Sequence, residues 1–327
     1  MKWKLHALTI EGDSRDDEIL RRWHDSFSSL SASADAADIA LTLDTVSQVP
    51  PSPPRQPNFK QENLIEYYID GDLVIVHFPR FGQLRLDLAK RISEGKIVRE
   101  ALSTYGVFED LIAIGLSPHL RRRDYFLIHA FAALTPSPSP FARDREGRGV
   151  LIVGNIGAGK TTTGMSLLNA GWKLLSNDSP IINGDGKILS YPGLLAAYPN
   201  TFARFEATKH LSPSLVGDIP TGKGQGGGKI TAAAEKIWRD VWIESAAAGM
   251  IVFPKIEPRG EHQLEPISPP EALRLIIPHA IEHWDKAMIP RHLEILNRLI
   301  QSAPAYCLHV APDVLSIPNV ITTSLRN

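Results

Sequence analysis

The sequence predicts a mixed α/β (α+β) protein with a smaller N-terminal α+β domain and a larger C-terminal domain. Two observations support this fold class. Apolar runs of strand length alternate with segments of helical periodicity along most of the chain. In the larger domain, a buried strand passes through a glycine loop directly into a helix over residues 150–170. With 327 residues, the chain is about twice the usual single-domain length, so two domains are expected.

The composition is that of an ordinary globular protein. Apolar residues make up 43% and charged residues 22%, which excludes collagen-like, coiled-coil and wholly disordered chains. Lys and Arg number 35 against 36 Asp and Glu, giving a net charge of -1. No overall positive field therefore attracts nucleic acid or an anionic membrane, and neither is a predicted partner. Any bound anion must be held by a local site.

The chain has one cysteine, Cys307, which excludes an internal disulfide and fits a reducing compartment. The N-terminus lacks the apolar stretch of a signal peptide, and no apolar run approaches the roughly 18 residues of a membrane span. These features predict a cytoplasmic protein without a membrane partner. They leave a homo-oligomer open.

Proline marks the domain organisation. Of the 25 prolines, one cluster lies in a linker at 49–57 and a second at 136–140. The predicted domains are residues 1–106, whose role the sequence does not indicate, and residues 107–327. The first 49 residues show one helical segment, near 17–27.

Several elements are predicted in the middle of the chain. Strand formers around Gly71 predict a hairpin over 66–78, and residues 84–105 show helical spacing. Residues 108–120 form a helix that ends near Pro118, and the arginines at 121–123 form a solvated turn. A buried strand covers 125–131.

The remaining elements follow the second proline cluster. A long loop joins the 125–131 strand to a strand at 150–153, forming a hairpin, and a helix follows at 161–170. Further strands are predicted at 172–175, 181–182, 188–189, 249–254 and 306–310, and helices at 270–283 and 290–302.

The loop after the 150–153 strand fits the pattern G-x-x-x-x-G-K-[ST]. Glycines allow successive N–H groups and a helix N-terminus to converge on a phosphate chain. Lys160 would reach the outer phosphates, and the Thr161 hydroxyl would ligate Mg²⁺. ATP and Mg²⁺ are therefore the predicted cofactors, and a structural glycine turn is the alternative. The predicted phosphate-binding residues are Gly154, Asn155, Ile156, Gly157, Ala158, Gly159, Lys160, Thr161 and Thr162.

Asp178 follows the next strand along the chain. A carboxylate there can reach Mg²⁺ or the nucleophile that attacks the terminal phosphate, although Asp also commonly forms turns. The guanine-specific N/T-K-x-D motif and the L-S-G-G-Q segment of transporter ATPases are both missing from the sequence.

Three segments in order resemble the catalytic domain of the HPr kinase/phosphorylase family. They are Leu127-Ile128-His129-Ala130, the 154–161 loop, and the run from Gly171 to Ser179. The match covers about residues 125–192. It implies a kinase whose loop lies in a fold related to phosphoenolpyruvate carboxykinase.

The resemblance also implies roles for individual residues. Asp178 would deprotonate the accepting serine hydroxyl and, with Thr161, ligate the metal. His129 would hold the phosphate or the aspartate; from the sequence alone, a buried core histidine is the alternative. Asn177 occupies the first position of the family's acidic pair, which weakens the expectation of a reverse phosphorylase reaction.

The leading hypothesis is thus a kinase that transfers the ATP phosphoryl group to a hydroxyl, of the serine type, on an unidentified protein or peptide. A small-molecule hydroxyl kinase and a non-catalytic ATP-binding regulatory module remain as alternatives. The glycine-rich segment 222–229 either covers the site or is a disordered loop.

Overall fold

The computed structural model describes residues 1–61, 64–136, 147–209, 211, 228–257 and 260–326. The described chain forms two compact units. The first contains residues 1–123, 228 and 283–286, and the second contains the rest. The first unit thus extends past the domain boundary predicted near residue 107. Most of the proline cluster at 136–140 and of the glycine-rich segment 222–229 lies outside the described residues.

The first unit is built on an eight-stranded sheet of order β1-β2-β3-β8-β7-β6-β5-β4. Strand β3 runs parallel to both of its neighbours, and the other pairs are antiparallel. Its strands are β1 (Lys2–Leu5), β2 (Leu8–Asp13), β3 (Ile39–Val46), β4 (Phe59–Gln61), β5 (Ile65–Asp70), β6 (Leu73–Phe78), β7 (Gly82–Asp87) and β8 (Ile92–Val98). Its helices are α1 (Asp17–Ser26), α2 (Glu100–Ser103) and α3 (Val107–Arg121).

Stacked aromatic rings and helix α3 contribute to the core of this unit. Trp3, Trp23 and Phe27 stack with ring centroids 5.1 to 5.7 Å apart. Helix α3 packs on the sheet at Gly115, where an added Cβ would lie 3.0 Å from Leu41. Helix α3 therefore belongs to the first unit, although the sequence places it in the second domain.

Three sequence predictions in this unit are wrong. Residues 84–105 form β7, β8 and the short α2 because their burial alternates with period two, as it does for Leu84, Arg85 and Leu86. Pro118 lies inside α3, which continues to Arg121. The Arg121 side chain is buried rather than solvated and contacts Asp285. The predicted hairpin at 66–78 and the helix near 17–27 are confirmed.

The second unit is built on a nine-stranded mixed sheet, counted over the described residues. Its main path is β12-β10-β11-β17-β14-β13-β9, and β19 joins β17 to β18. These strands are β9 (Tyr125–Leu127), β10 (Ala130–Leu134), β11 (Arg148–Val153), β12 (Lys173–Ser176), β13 (Ile181–Asn183), β14 (Ile188–Leu189), β17 (Ser245–Ile256), β18 (Gln263–Ile267) and β19 (Ala305–Val310). A separate pair consists of β15 (Leu195–Ala197) and β16 (Ile230–Ala232).

Helices cover both faces of this sheet. They are α4 (Lys160–Asn169), α5 (Pro199–Phe202), α6 (Pro269–Ile276), α7 (Ile289–Ser302) and α8 (Ile317–Arg326). Apolar residues of α4 and α8 form one core with Val252 of β17, and residues of α6 and α7 form another with Ile251. Adjacent residues of β17 therefore face opposite cores, as the pleat of a strand requires.

Three central strands of this sheet, β11, β17 and β19, run parallel to one another. β11 and β19 both pair with β17 in parallel, so their carboxyl ends lie at the same edge of the sheet. The loop 154–159 leaves β11 at this edge and leads into α4. Within the described part of the chain, no helix is both long and apolar enough to cross a membrane.

The predicted strand over 125–131 is two strands, β9 and β10, which pair with different neighbours. Ile128 and His129 form the break between them. The antiparallel pairing of β10 with β11 confirms the predicted hairpin.

Candidate active site

The loop between β11 and α4 has the backbone conformation that its glycines allow. Gly157 and Gly159 have φ angles of 84° and 100°, in the left-handed region that favours glycine. A Cβ added to Gly157 would meet no atom within 4 Å, so open space lies over the loop. A glycine loop followed by the N-terminus of a helix, here the ten-residue α4, is an arrangement that can bind anions.

Lys160 is the first residue of α4, and its ammonium group turns back onto the loop. Nζ donates to the carbonyl oxygen of Gly154 at 2.6 Å and to that of Asn155 at 3.4 Å. Nζ also lies 2.9 Å from Nε2 of His129. Burial lowers the pKa of Lys160; the charge of Asp178 opposes this shift, and the nearby cation of Lys229 adds to it.

His129 lies at the break between β9 and β10, outside the regular sheet ladder. Its backbone N–H donates to the carbonyl oxygen of His279 at 2.7 Å. Its ring is partly exposed and lies between two charged groups, with Nε2 beside Lys160 and Nδ1 3.3 Å from Oδ1 of Asp178. This position contradicts the alternative of a buried core histidine.

The proton arrangement on His129 follows from its neighbours. An ammonium group can only donate hydrogen bonds, so Nε2 accepts from Lys160. The ring proton then lies on Nδ1, the nitrogen that is 3.3 Å from Oδ1 of Asp178. The three side chains thus form a continuous series from the loop lysine to the aspartate.

A tight turn after β12 carries Asp178. The Ser179 N–H donates to Oγ of Ser176 at 3.1 Å, and the Ala130 N–H donates to the backbone oxygen of Asp178 at 2.8 Å. The backbone is therefore tied to β10, while the side chain remains 58% exposed. An exposed carboxylate on a fixed backbone is available to an incoming molecule.

Asn177, the residue before Asp178, bonds to a backbone carbonyl group and not to His129. Its Nδ2 donates to the carbonyl oxygen of Leu194 at 2.8 Å. A carboxylate at this position has no proton to donate, so the bond requires the amide. The side chain of Asn177 thus holds the segment before β15 in place.

Two further basic side chains lie beside this site: His279, which the sequence did not indicate, and Lys229 of the glycine-rich segment 222–229. The His279 ring centroid lies 6.2 Å from that of His129, and burial, together with His129 and Lys160, lowers the pKa of His279. Lys229 lies with Nζ 5.6 Å from the ring centroid of Tyr198. Burial lowers the pKa of Lys229, and the charge of Asp178 opposes that shift.

Only two residues, Thr161 and Asp178, are predicted to bind the metal ion. Within the described ranges, no three His, Cys, Asp or Glu side chains converge so as to hold a metal ion. Mg²⁺ commonly takes only one or two protein ligands, with phosphate oxygens and water completing its shell. The Thr161 hydroxyl and the Asp178 carboxylate are of the required chemical type. Glu206, a further acid in this unit, is highly exposed and paired with Lys209 at 2.6 Å.

The described chain is therefore a mixed α+β protein with a glycine loop, a lysine, a histidine and an aspartate at one sheet edge. No family model matches the sequence, and no curated protein matches it. Among solved structures, it is similar to the Hpr(Ser) kinase/phosphatase from Coxiella burnetii, with 14% sequence identity and a TM-score of 0.27. The similarity covers 61% of this chain and 89% of that one. So distant a similarity leaves function to be inferred from the site residues.

Proposed function

We propose that the protein is an ATP- and Mg²⁺-dependent phosphotransferase that phosphorylates a serine-type hydroxyl on a protein or peptide. The contact series Lys160–His129–Asp178 beside the glycine loop is the observation that supports this proposal. In this series the ammonium group of the loop lysine and an exposed carboxylate lie at one sheet edge, with one imidazole ring between them.

The loop and α4 supply the phosphate contacts. Backbone N–H groups of the loop and the positive end of α4 bind phosphate oxygens. Lys160 exchanges its bond to the Gly154 carbonyl for one to a phosphate oxygen, which is stronger because the acceptor is then charged as well as the donor. When bound, ATP supplies the phosphoryl group and Mg²⁺ neutralises its charge, with Thr161 and Asp178 as the ligands that this chain offers.

Asp178 is the proton acceptor in this scheme. Its carboxylate takes the proton of the acceptor hydroxyl as that oxygen bonds to the terminal phosphorus, and the bridging oxygen leaves with ADP. The Nδ1–H of His129 orients one oxygen of Asp178 and leaves the other for the substrate. His129 is accordingly a positioning residue for the aspartate.

The exposure of Asp178 supports an acceptor hydroxyl carried on a protein or peptide. A side chain that is 58% exposed can be approached by a hydroxyl on a large molecule without burial of that molecule. The same geometry admits a small hydroxyl compound, so the substrate class is a question for experiment.

A specific observation favours a second candidate, a nucleotide-binding module that does not transfer phosphate. Asn177 stands beside Asp178 with its amide committed to Leu194, which leaves Asp178 as the one acid of this turn. A module of this type would bind ATP and regulate a partner.

One experiment separates these candidates. The protein is incubated with γ-labelled ATP and Mg²⁺, and label is followed into a serine peptide panel, into small hydroxyl compounds and into water. Transfer to peptides supports the leading proposal, whereas transfer to small compounds alone moves the function to a small-molecule kinase. ATP binding without transfer to any acceptor would leave only the regulatory module.

A further inference from the structure

We propose that Ile256, at the end of β17, is a binding surface for the purine base of the nucleotide. This inference rests on the proposed function, because it assigns the base of a nucleotide whose phosphates bind the glycine loop. It adds a ligand contact on a strand that the sequence motif does not include.

The position of β17 brings Ile256 to the loop. β17 runs parallel to β11, so the strand ends at the edge where the loop begins. A Cβ added to Gly159 would lie 3.5 Å from Cγ1 and 3.6 Å from Cδ1 of Ile256. One added to Gly154 would lie 3.8 Å from Cδ of Pro254. Pro254 and Ile256 therefore form an apolar strip beside the first and last glycines of the loop.

The exposure of Ile256 is unusual for its place in the fold. Val252 lies on the same face of β17 and is fully buried in the core beneath α4, whereas Ile256 is 63% exposed. Among the described residues of the second unit, the exposed large apolar side chains are Ile156, Ile256 and Leu315. Two of these three belong to the loop or contact it, and Ile156 is 86% exposed.

The chemistry of this surface fits a flat apolar ring. The neighbouring ionic groups, Lys255 and Glu257, pair with each other at 2.6 Å. Lys255 lies on the opposite face of the strand, and Glu257 follows its last residue. The Ile256 face thus offers apolar contact, while the loop N–H groups take the charged phosphates. An aliphatic contact makes no hydrogen bond with the ring edge, so adenine and guanine should bind with similar affinity.

The test compares a ligand that has a base with one that has only phosphates. Dissociation constants for ATP, GTP and inorganic tripolyphosphate are measured by calorimetry with Mg²⁺, using the full chain. The variants are Ile256→Ser, Ile256→Phe and the control Leu64→Ser, which removes a side chain of similar exposure, 66%, from the first unit. Circular dichroism establishes that each variant is folded.

We expect Ile256→Ser to weaken the binding of ATP and of GTP about five- to tenfold, since it removes part of the apolar area that the base covers. Tripolyphosphate should bind this variant as it binds the unchanged protein, and Leu64→Ser should alter no affinity. Ile256→Phe should retain ATP affinity because its ring offers a larger apolar surface.

The outcomes distinguish this inference from the function on which it rests. If tripolyphosphate and ATP bind but Ile256→Ser leaves ATP affinity unchanged, the base surface is wrong and the phosphate site stands. If Ile256→Ser weakens the binding of ATP and of tripolyphosphate equally, Ile256 acts on the loop and does not contact the base. If neither ligand binds the unchanged protein, both proposals fail.

Discussion

Nζ of Lys160 lies 2.9 Å from Nε2 of His129 and 2.6 Å from the carbonyl oxygen of Gly154. The ammonium group is thus held by its own loop and by the histidine that contacts Asp178. Phosphate oxygens would compete for the same protons of the ammonium group. Binding of a phosphate chain is therefore expected to change the contacts of His129 as well as those of the loop.

Replacing Lys160 with methionine tests the phosphate site. Lys160→Met keeps the apolar stem and removes the charge, so ATP affinity should fall about 10- to 100-fold through loss of a charge-assisted hydrogen bond. Thermal stability should change little, because the loss of the bonds to the loop carbonyls and His129 is offset by removal of a buried charge. Unchanged ATP affinity, measured by calorimetry, would exclude Lys160 from the phosphate site.

Asn177→Asp tests whether the amide is structural. The carboxylate cannot donate to the Leu194 oxygen, so the free energy of unfolding should fall by about 1 kcal/mol in urea denaturation. Asn58→Asp is the matched control: Oδ1 of Asn58 accepts from the Ile69 N–H, a role that a carboxylate retains. Equal effects of the two substitutions would refute the structural role of Asn177.

Because the side chain of His119 is buried, we expect the stability of the first unit to depend on pH. The Ser93 hydroxyl donates to the Gly115 oxygen, so it accepts from Nε2–H of His119, and Nδ1 has no hydrogen-bond partner among the described residues. Burial, with smaller effects from Arg122 and Arg121, lowers the pKa of His119 from 6.5 to about 4.

The unfolded chain therefore binds more protons than the folded chain between pH 6.5 and pH 4, and stability falls as the pH is lowered through this range. The loss attributable to His119 is roughly 3 kcal/mol at pH 4. Urea denaturation at several pH values, with and without His119→Gln, measures it. The same slope in both proteins would show that other groups cause the pH dependence.

Asp285 neutralises a buried cation in the first unit. Its Oδ2 lies 3.0 Å from Arg121 and 2.9 Å from Arg122, and Arg121 and Asp285 are only 3% and 4% exposed. Asp285→Asn leaves Arg121 buried without a counter-charge and should cost about 3 to 5 kcal/mol of unfolding free energy. Asp35→Asn, which breaks an exposed pair with Lys4, should cost less than about 1 kcal/mol. Similar losses for both would contradict the burial argument.

The local motif of the site could be predicted from the sequence because it is contiguous. The strand 150–153, the glycine loop and the helix that follows lie in one segment, and each has a strong pattern of its own. The β10–β11 hairpin follows from two apolar runs on either side of a polar loop. The first unit was harder to predict, since residues 84–105 mix alternating and helical spacings. In the structure their burial alternates along β7 and β8, and a Cβ added to Gly95 would clash with Leu43 of the neighbouring strand.

Long-range contacts explain what the sequence did not reveal about the site. Nothing in the segment around His279 indicates that its carbonyl oxygen accepts from His129, because that bond depends on how the 3-10 turn Ile277–His279 follows α6. The hydrogen bond from the Asn177 side-chain amide to the Leu194 carbonyl oxygen likewise could not be predicted from the sequence. The family that the sequence resembles usually has an acid where this chain has Asn177, and the bond to Leu194 gives a physical reason for the amide.

The role of Asp178 is tested most directly by measuring ATP affinity and phosphoryl transfer on the same preparation of Asp178→Asn. The substitution keeps the shape of the side chain and leaves Lys160 and the loop unchanged. Affinity for ATP, measured without Mg²⁺ because Asp178 is also a proposed metal ligand, should stay within about threefold of the unchanged protein. The rate of transfer with Mg²⁺ should fall about 10²- to 10⁴-fold, as for loss of a general base. Transfer of label by Asp178→Asn at the original rate would contradict the proposed chemistry.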